Sequence, residues 1–89
     1  MSSSSPLSRA LRVELRSSLA ERLGRSVVIL ELPPEAQAQD VRTALARRHP
    51  AAAALIESAL VVADDRVLGR RDALPAVDAV ALIPPVSGG

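Results

Sequence analysis

Residues 79–89 read Ala79-Val80-Ala81-Leu82-Ile83-Pro84-Pro85-Val86-Ser87-Gly88-Gly89, an uncharged apolar run that breaks at a double proline and passes into two glycines. A short run of this kind, carrying no charge, is what a central strand covered by a helix looks like. Neither proline has an N–H to give to a ladder, so the strand is expected to stop at Ile83. Residues 84–89 then form a stiff exit and a flexible Gly-Gly tail. Fully extended, that tail reaches about 20 Å, enough to thread a narrow channel in another protein. Gly88 and Gly89 carry no Cβ to clash with channel walls, and the last carbonyl stays open to attack once activated. Gly-Gly alone is an ordinary frayed terminus; the Pro-Pro-Val-Ser prefix abutting an apolar strand is what argues for more. Gly89 is taken to bear a free carboxylate, since no residue follows it.

Working back from this strand, two periods compete near the start of the chain. Leu11, Val13 and Leu15 alternate with Arg12, Glu14 and Arg16, while Leu7, Leu11, Leu15, Leu19 and Leu23 recur every four residues. A strand over 10–16 followed by a short helix over 18–23 satisfies both, with Ser17-Ser18 as break and N-cap and Gly24 as stop. Ser26–Leu32 is rich in β-branched residues and ends at Pro33-Pro34, which makes it a second strand in hairpin with the first. Val41, Ala44, Leu45 and Arg48 fall at helical spacing and predict a helix over 38–48 with an apolar stripe; Arg47, Arg48 and His49 complement its C-terminal dipole, and Pro50 ends it. Ala51–Ile56 opens a further helical turn. Ala59–Ala63 is a third strand, Asp64-Asp65 its turn, Arg66–Leu68 a short return strand, Gly69–Asp78 a polar connection, and Ala79–Ile83 the last strand.

The order β, β, α, β, β, β places a hairpin first, a helix crossing the sheet, and the last long strand in the centre beside the first. That is the topology of an α+β β-grasp domain, a mixed sheet of four to five strands crossed by one main helix, though the pattern alone admits others. The expected organisation is a disordered lead-in over 1–8, the domain over 9–83 and the tail over 84–89.

Composition narrows the chemistry. The 89 residues hold one small domain, and 48% apolar with 24% charged residues is globular composition. No cysteine is present and only one His, so thiolate chemistry, a disulfide framework and a zinc site are excluded, and no metal is expected. All 11 basic residues are Arg against 10 acidic ones, for a net charge of +1, which is no field to hold nucleic acid or a membrane surface. Zero aromatic residues removes base-stacking platforms and the usual lining of small-molecule pockets. Lys is absent, which excludes Schiff-base catalysis and prevents the chain from acylating its own side-chain amines. The Met-Ser-Ser-Ser-Ser-Pro start with Arg9, Arg12 and Arg16 resembles an Arg- and Ser-rich transit peptide but lacks the apolar core of a secretory signal; the domain is expected in the cytoplasm. Asp64 and Asp65, the one adjacent acid pair, are read as a solvated turn rather than an acid–base pair, and His49 as a helix-end cation rather than a catalyst. Arg70-Arg71 is a solvated loop or a contact for an acidic partner.

Residues 79–89 resemble the carboxyl end of the small, sulfur-carrying subunit of molybdopterin synthase. Weaker similarity covers most of 9–89, through Leu11-Arg12-Val13, Leu19-Ala20-Glu21-Arg22-Leu23-Gly24, the helix Asp40 to Arg48, and Leu60-Val61-Val62. The resemblance implies a ubiquitin-like β-grasp sulfur carrier, not catalytic alone and binding no cofactor. Gly89 would be adenylated by an ATP-dependent activating enzyme and, with a sulfurtransferase as sulfur source, converted to a thiocarboxylate. That group would donate sulfur to the cyclic pterin monophosphate precursor inside the large catalytic subunit of molybdopterin synthase. Gly88 would let the tail pass, and Pro84, Pro85, Val86 and Ser87 would dock it.

Three features depart from that family. Aromatic residues common among its strands are missing, with Ile83 where one often stands; Ala63-Asp64-Asp65 replaces an Asn-Gly type of turn; and Ala76-Val77-Asp78 stands where Gly-Asp usually precedes the final strand. Carriers for thiazole (thiamine) or cysteine synthesis also end in Gly-Gly but usually lack the double proline. A ubiquitin-like binding module whose terminus is never activated is the remaining alternative, and an added C-terminal Ala separates it from the carriers.

Overall fold

The structure, a computed structural model, describes residues 8–85. The expected lead-in therefore lies almost wholly outside the described residues, as do Val86, Ser87, Gly88 and Gly89.

Five strands form one mixed sheet. The first, β1 (Arg9–Leu15), turns Leu11, Val13 and Leu15 inward and leaves Ala10 and Arg12 exposed, the alternation that a sheet with one covered face requires. Its neighbour β2 (Val27–Leu32) runs antiparallel, with Val13 opposite Val28 and Leu11 opposite Leu30. Between them α1 (Ser17–Leu23) buries Leu19 and stops at Gly24, whose φ of 73° is the left-handed conformation a helix end uses. Ser17-Ser18 does not cap this helix as expected. Arg16 is still extended, its N–H given to the Leu82 carbonyl at 3.2 Å, so the chain reverses abruptly at Ser17, which takes a φ of 51°.

The main helix α2 (Ala38–Arg48) has the bounds read from its periodicity, and Asp40 fixes its start by accepting the Gln37 N–H at 2.8 Å. It buries Ala38, Val41 and Leu45 against the sheet. The expected stripe is wrong at one end. Arg48 is exposed, overhanging the outer edge of β2, while Arg42 is 4% exposed and takes up the interior position. A short 3-10 turn (Pro50–Ala52) and α3 (Ala53–Ser58) follow, longer than the single turn expected, and Ile56 fills the core beneath them.

Two strands, β3 (Leu60–Ala63) and β4 (Arg66–Leu68), make a hairpin whose tip, Asp64-Asp65, has φ of 51° and 62° at both positions. Those are the signs of a type I′ turn, so Asp-Asp supplies the geometry that Asn-Gly usually does. The last strand, β5 (Ala79–Ile83), pairs parallel to β1 and antiparallel to β3, giving the order β2-β1-β5-β3-β4. The expected position of residues 79–83 at the centre of the sheet is met, and the fold is a ubiquitin-like β-grasp.

Candidate functional site

β5 delivers the tail, so the site is built from what surrounds its end. Val80 and Leu82 point into the core, 3% and 0% exposed, while Ala79, Ala81 and Ile83 face the opposite, uncovered side. Hydrogen bonding on both flanks and inward packing at two positions make β5 a rigid base. Pro84 is itself buried and Pro85 exposed, so packing extends one residue past the strand before the chain is released. Of the six expected tail residues, only these two lie within the described structure.

The uncovered face is more apolar than a solvated sheet needs to be. Ile83 lies opposite Leu60, and Ala81 lies opposite Val62, which in turn faces Val67. Leu60 is 42% exposed and Val67 60% exposed. A shallow recess of about 600 Å³ runs along this face, floored by Val62, Ala81 and Ile83, with the Glu14–Arg16 pair at one side and Asp64 with Asp65 at the other. The Arg16 guanidinium meets the Glu14 carboxylate at 2.8 Å in open solvent, an exposed pair worth little to stability. The pair stands at the rim of the apolar strip. This face was not legible as a site. Its signal was β3 and β5 being apolar at odd and even positions alike, which one covered face does not explain.

The other singled-out residues have structural work. His49 sits at the C-terminal end of α2, its backbone N–H donated to the Leu45 carbonyl. Arg70 stays exposed while its guanidinium donates to Gln39 Oε1 at 2.8 Å and to the Glu57 carbonyl at 3.4 Å. Buried Arg42 gives Nε–H to the Ala59 carbonyl at 2.8 Å and Nη1–H to the same Gln39 oxygen. Burial, with Arg70 nearby, lowers its pKa, and Glu57 partly offsets this. Together these groups tie α2, α3 and the loop before β5. Arg9 does the same from β1, donating to the Pro75 and Val77 carbonyls at 3.0 and 2.6 Å. Among the described residues no cluster of acids and histidine could hold a metal ion, and no helix is long and apolar enough to cross a membrane.

What the described residues offer is a fixed central strand, a proline exit and an open apolar face beside it. Residues 13–89 match the ThiS family. No curated protein matches. Among solved structures the chain is similar to SAMP1 of Haloferax volcanii, 28% identical with a TM-score of 0.75 over 91% of this chain and 100% of that one. A second structure, of the H. volcanii small archaeal modifier protein 1, gives 27% identity and a TM-score of 0.73 over 86% and 98%. A Pyrococcus furiosus protein described as molybdopterin converting factor subunit 1 shares the fold, with a TM-score of 0.72 over 86% and 98% at 19% identity.

Proposed function

The chain belongs to the ThiS family and has the ubiquitin-like fold of its sulfur carriers, and from that premise we propose that it is the sulfur-carrying subunit of a molybdopterin synthase, with Gly89 as the carrying residue. The observation that carries this is the seat of β5. A strand locked between β1 and β3 leads into Pro84 and Pro85, four residues before the end of the sequence at Gly89, and beside that strand lies an open apolar face on which a partner can hold the domain. A carboxylate is a poor electrophile. Its oxygen attacks the α-phosphorus of ATP and expels pyrophosphate; a hydrosulfide equivalent then attacks the acyl carbon, AMP departs with its bonding pair, and a thiocarboxylate is left. The activating enzyme, the sulfur source and the large synthase subunit supply every catalytic group. The sequence Ile83-Pro84-Pro85-Val86-Ser87 favours the molybdopterin pathway over thiazole or cysteine carriers.

Similarity to SAMP1 supports a second reading, in which the same activated Gly89 is passed to an amine on another protein as a modifier. Intact mass after incubation with the host's activating enzyme, ATP and a sulfur source separates these. A gain of ~16 Da, lost on adding the large subunit and the pterin precursor, is expected. A gain that persists there points to another sulfur pathway, adducts of whole-protein mass point to the modifier, and no change with a demonstrably active enzyme refutes activation. Gly88→Leu is expected to abolish sulfur delivery without shifting the melting temperature.

A further inference from the structure

β2 is an outer strand, paired with β1 along one edge only. The Ser26 carbonyl accepts the Leu15 N–H, so along this antiparallel strand the backbone groups of Val27 and Ile29 turn to the free edge. An edge of this kind is a template for another strand. One of its carbonyls is already taken: Arg48 of α2 reaches over the edge and donates Nη1–H to the Ile29 oxygen at 3.0 Å. On the open face the same strand shows Val27 and Ile29, 41% and 50% exposed.

Few strands can pair with a copy of themselves without setting charge against apolar surface. In an antiparallel pair, opposed residues share a face. A two-fold centred on Ile29 would set Val27 against Glu31, and one centred on Val27 would set Ile29 against Arg25. A two-fold centred on Val28 sets Ile29 against Val27, twice, and brings Glu31 to the side of Arg25, which stands two residues before the strand with its N–H given to the Ala20 carbonyl at 3.2 Å. In this register Val27 and Ile29 also exchange both backbone hydrogen bonds, since both turn theirs outward. All four of these side chains are exposed. β5 lies two strands in from the paired edge, so Pro84 and Pro85, which follow it, stay clear of the contact in each copy.

We propose that the chain pairs with a second copy through β2, antiparallel about Val28, and that Arg48 on the Ile29 carbonyl is the latch that holds this edge closed in the single copy. Opening the latch frees the outward carbonyl for the partner strand, and the two sheets become one.

Sedimentation equilibrium from low micromolar to near-millimolar protein tests this on the full chain. Arg48→Ala, and Arg48→Gln which keeps most of the stem, are expected to lower the concentration of half-dimerisation by at least about tenfold. Adding Glu31→Arg or Arg25→Glu to Arg48→Ala is expected to return single-copy mass, and both together to restore the dimer. Far-UV circular dichroism melts confirm that each variant folds. Single-copy mass for both Arg48 variants at every concentration would overturn the proposal. So would a dimer indifferent to the single charge reversals, or assemblies larger than two copies, since these place the contact elsewhere.

Discussion

Leu82→Ala tests the placement on which the site depends, namely that β5 is central and that its even positions face the core. Leu82 is 0% exposed between β1 and β3. Truncation removes three carbons, about 2.4 kcal/mol of transfer free energy at roughly 0.8 kcal/mol each. The residual cavity adds about 1 kcal/mol, because a site flanked by paired strands collapses poorly, for a total near 3.5 kcal/mol. A domain of 89 residues has an unfolding entropy of about 0.19 kcal/mol/K at its midpoint. The melting temperature should therefore fall by roughly 15–20 °C. Val67→Ala on the open face, where the side chain is already 60% exposed, should shift it by roughly 5 °C or less. With no aromatic residue the chain has no useful intrinsic fluorescence, so the assay is circular dichroism at 222 nm or calorimetry. Equal shifts for the two variants, or a loss under about 5 °C for Leu82→Ala, would show that the alternation of β5 has been assigned to the wrong faces.

The open face carries a functional counterpart: Leu60→Arg with Val67→Arg should slow the ~16 Da mass gain by about tenfold or more while leaving the melting temperature nearly unchanged, because a charge in the centre of a docking patch is paid for only on binding. Gly24→Ala isolates backbone strain, since a Cβ there meets nothing within 4 Å yet φ is 73°; a loss of roughly 1 kcal/mol by denaturant titration is expected. Asp65→Gly works in the other direction, relieving a φ of 62° at the hairpin tip, and should raise stability by roughly 0.5 kcal/mol in the same titration. Arg42→Met keeps much of the packing but leaves the Ala59 carbonyl without its 2.8 Å donor; calorimetry should show about 1–3 kcal/mol lost, and no loss would mean that water substitutes for the guanidinium.

Much of the fold was legible because it is written locally. Pro33-Pro34 and Pro84-Pro85 end strands whatever surrounds them, since proline cannot donate to a ladder. Gly24 could be read as a helix stop because its left-handed φ favours a residue without a Cβ. The helix over 38–48 and the strand over 79–83 have the predicted bounds, because their period and breakers agree. Other boundaries moved by a residue, as at β2, which begins at Val27 rather than Ser26. Arg42 and Arg48 show where local pattern runs out. Both sit on one helix, six residues apart, and hydropathy ranks them alike. One is buried because the chain leaving α3 brings the Ala59 carbonyl to it, and the other is exposed because the helix end overhangs the outer edge of β2.

The same division runs through the site. The tail Pro84-Pro85-Val86-Ser87-Gly88-Gly89 stood out by itself, since its chemistry depends on residues consecutive in the chain and on the lack of side chains at its tip. The open face beside β5 did not. Leu60, Val62, Val67, Ala81 and Ile83 come from three strands and share a face only through the pairing of β3 with β4 and β5. Which of two apolar faces is covered is decided by where the crossing helices land, a matter of packing between distant segments that no local period encodes.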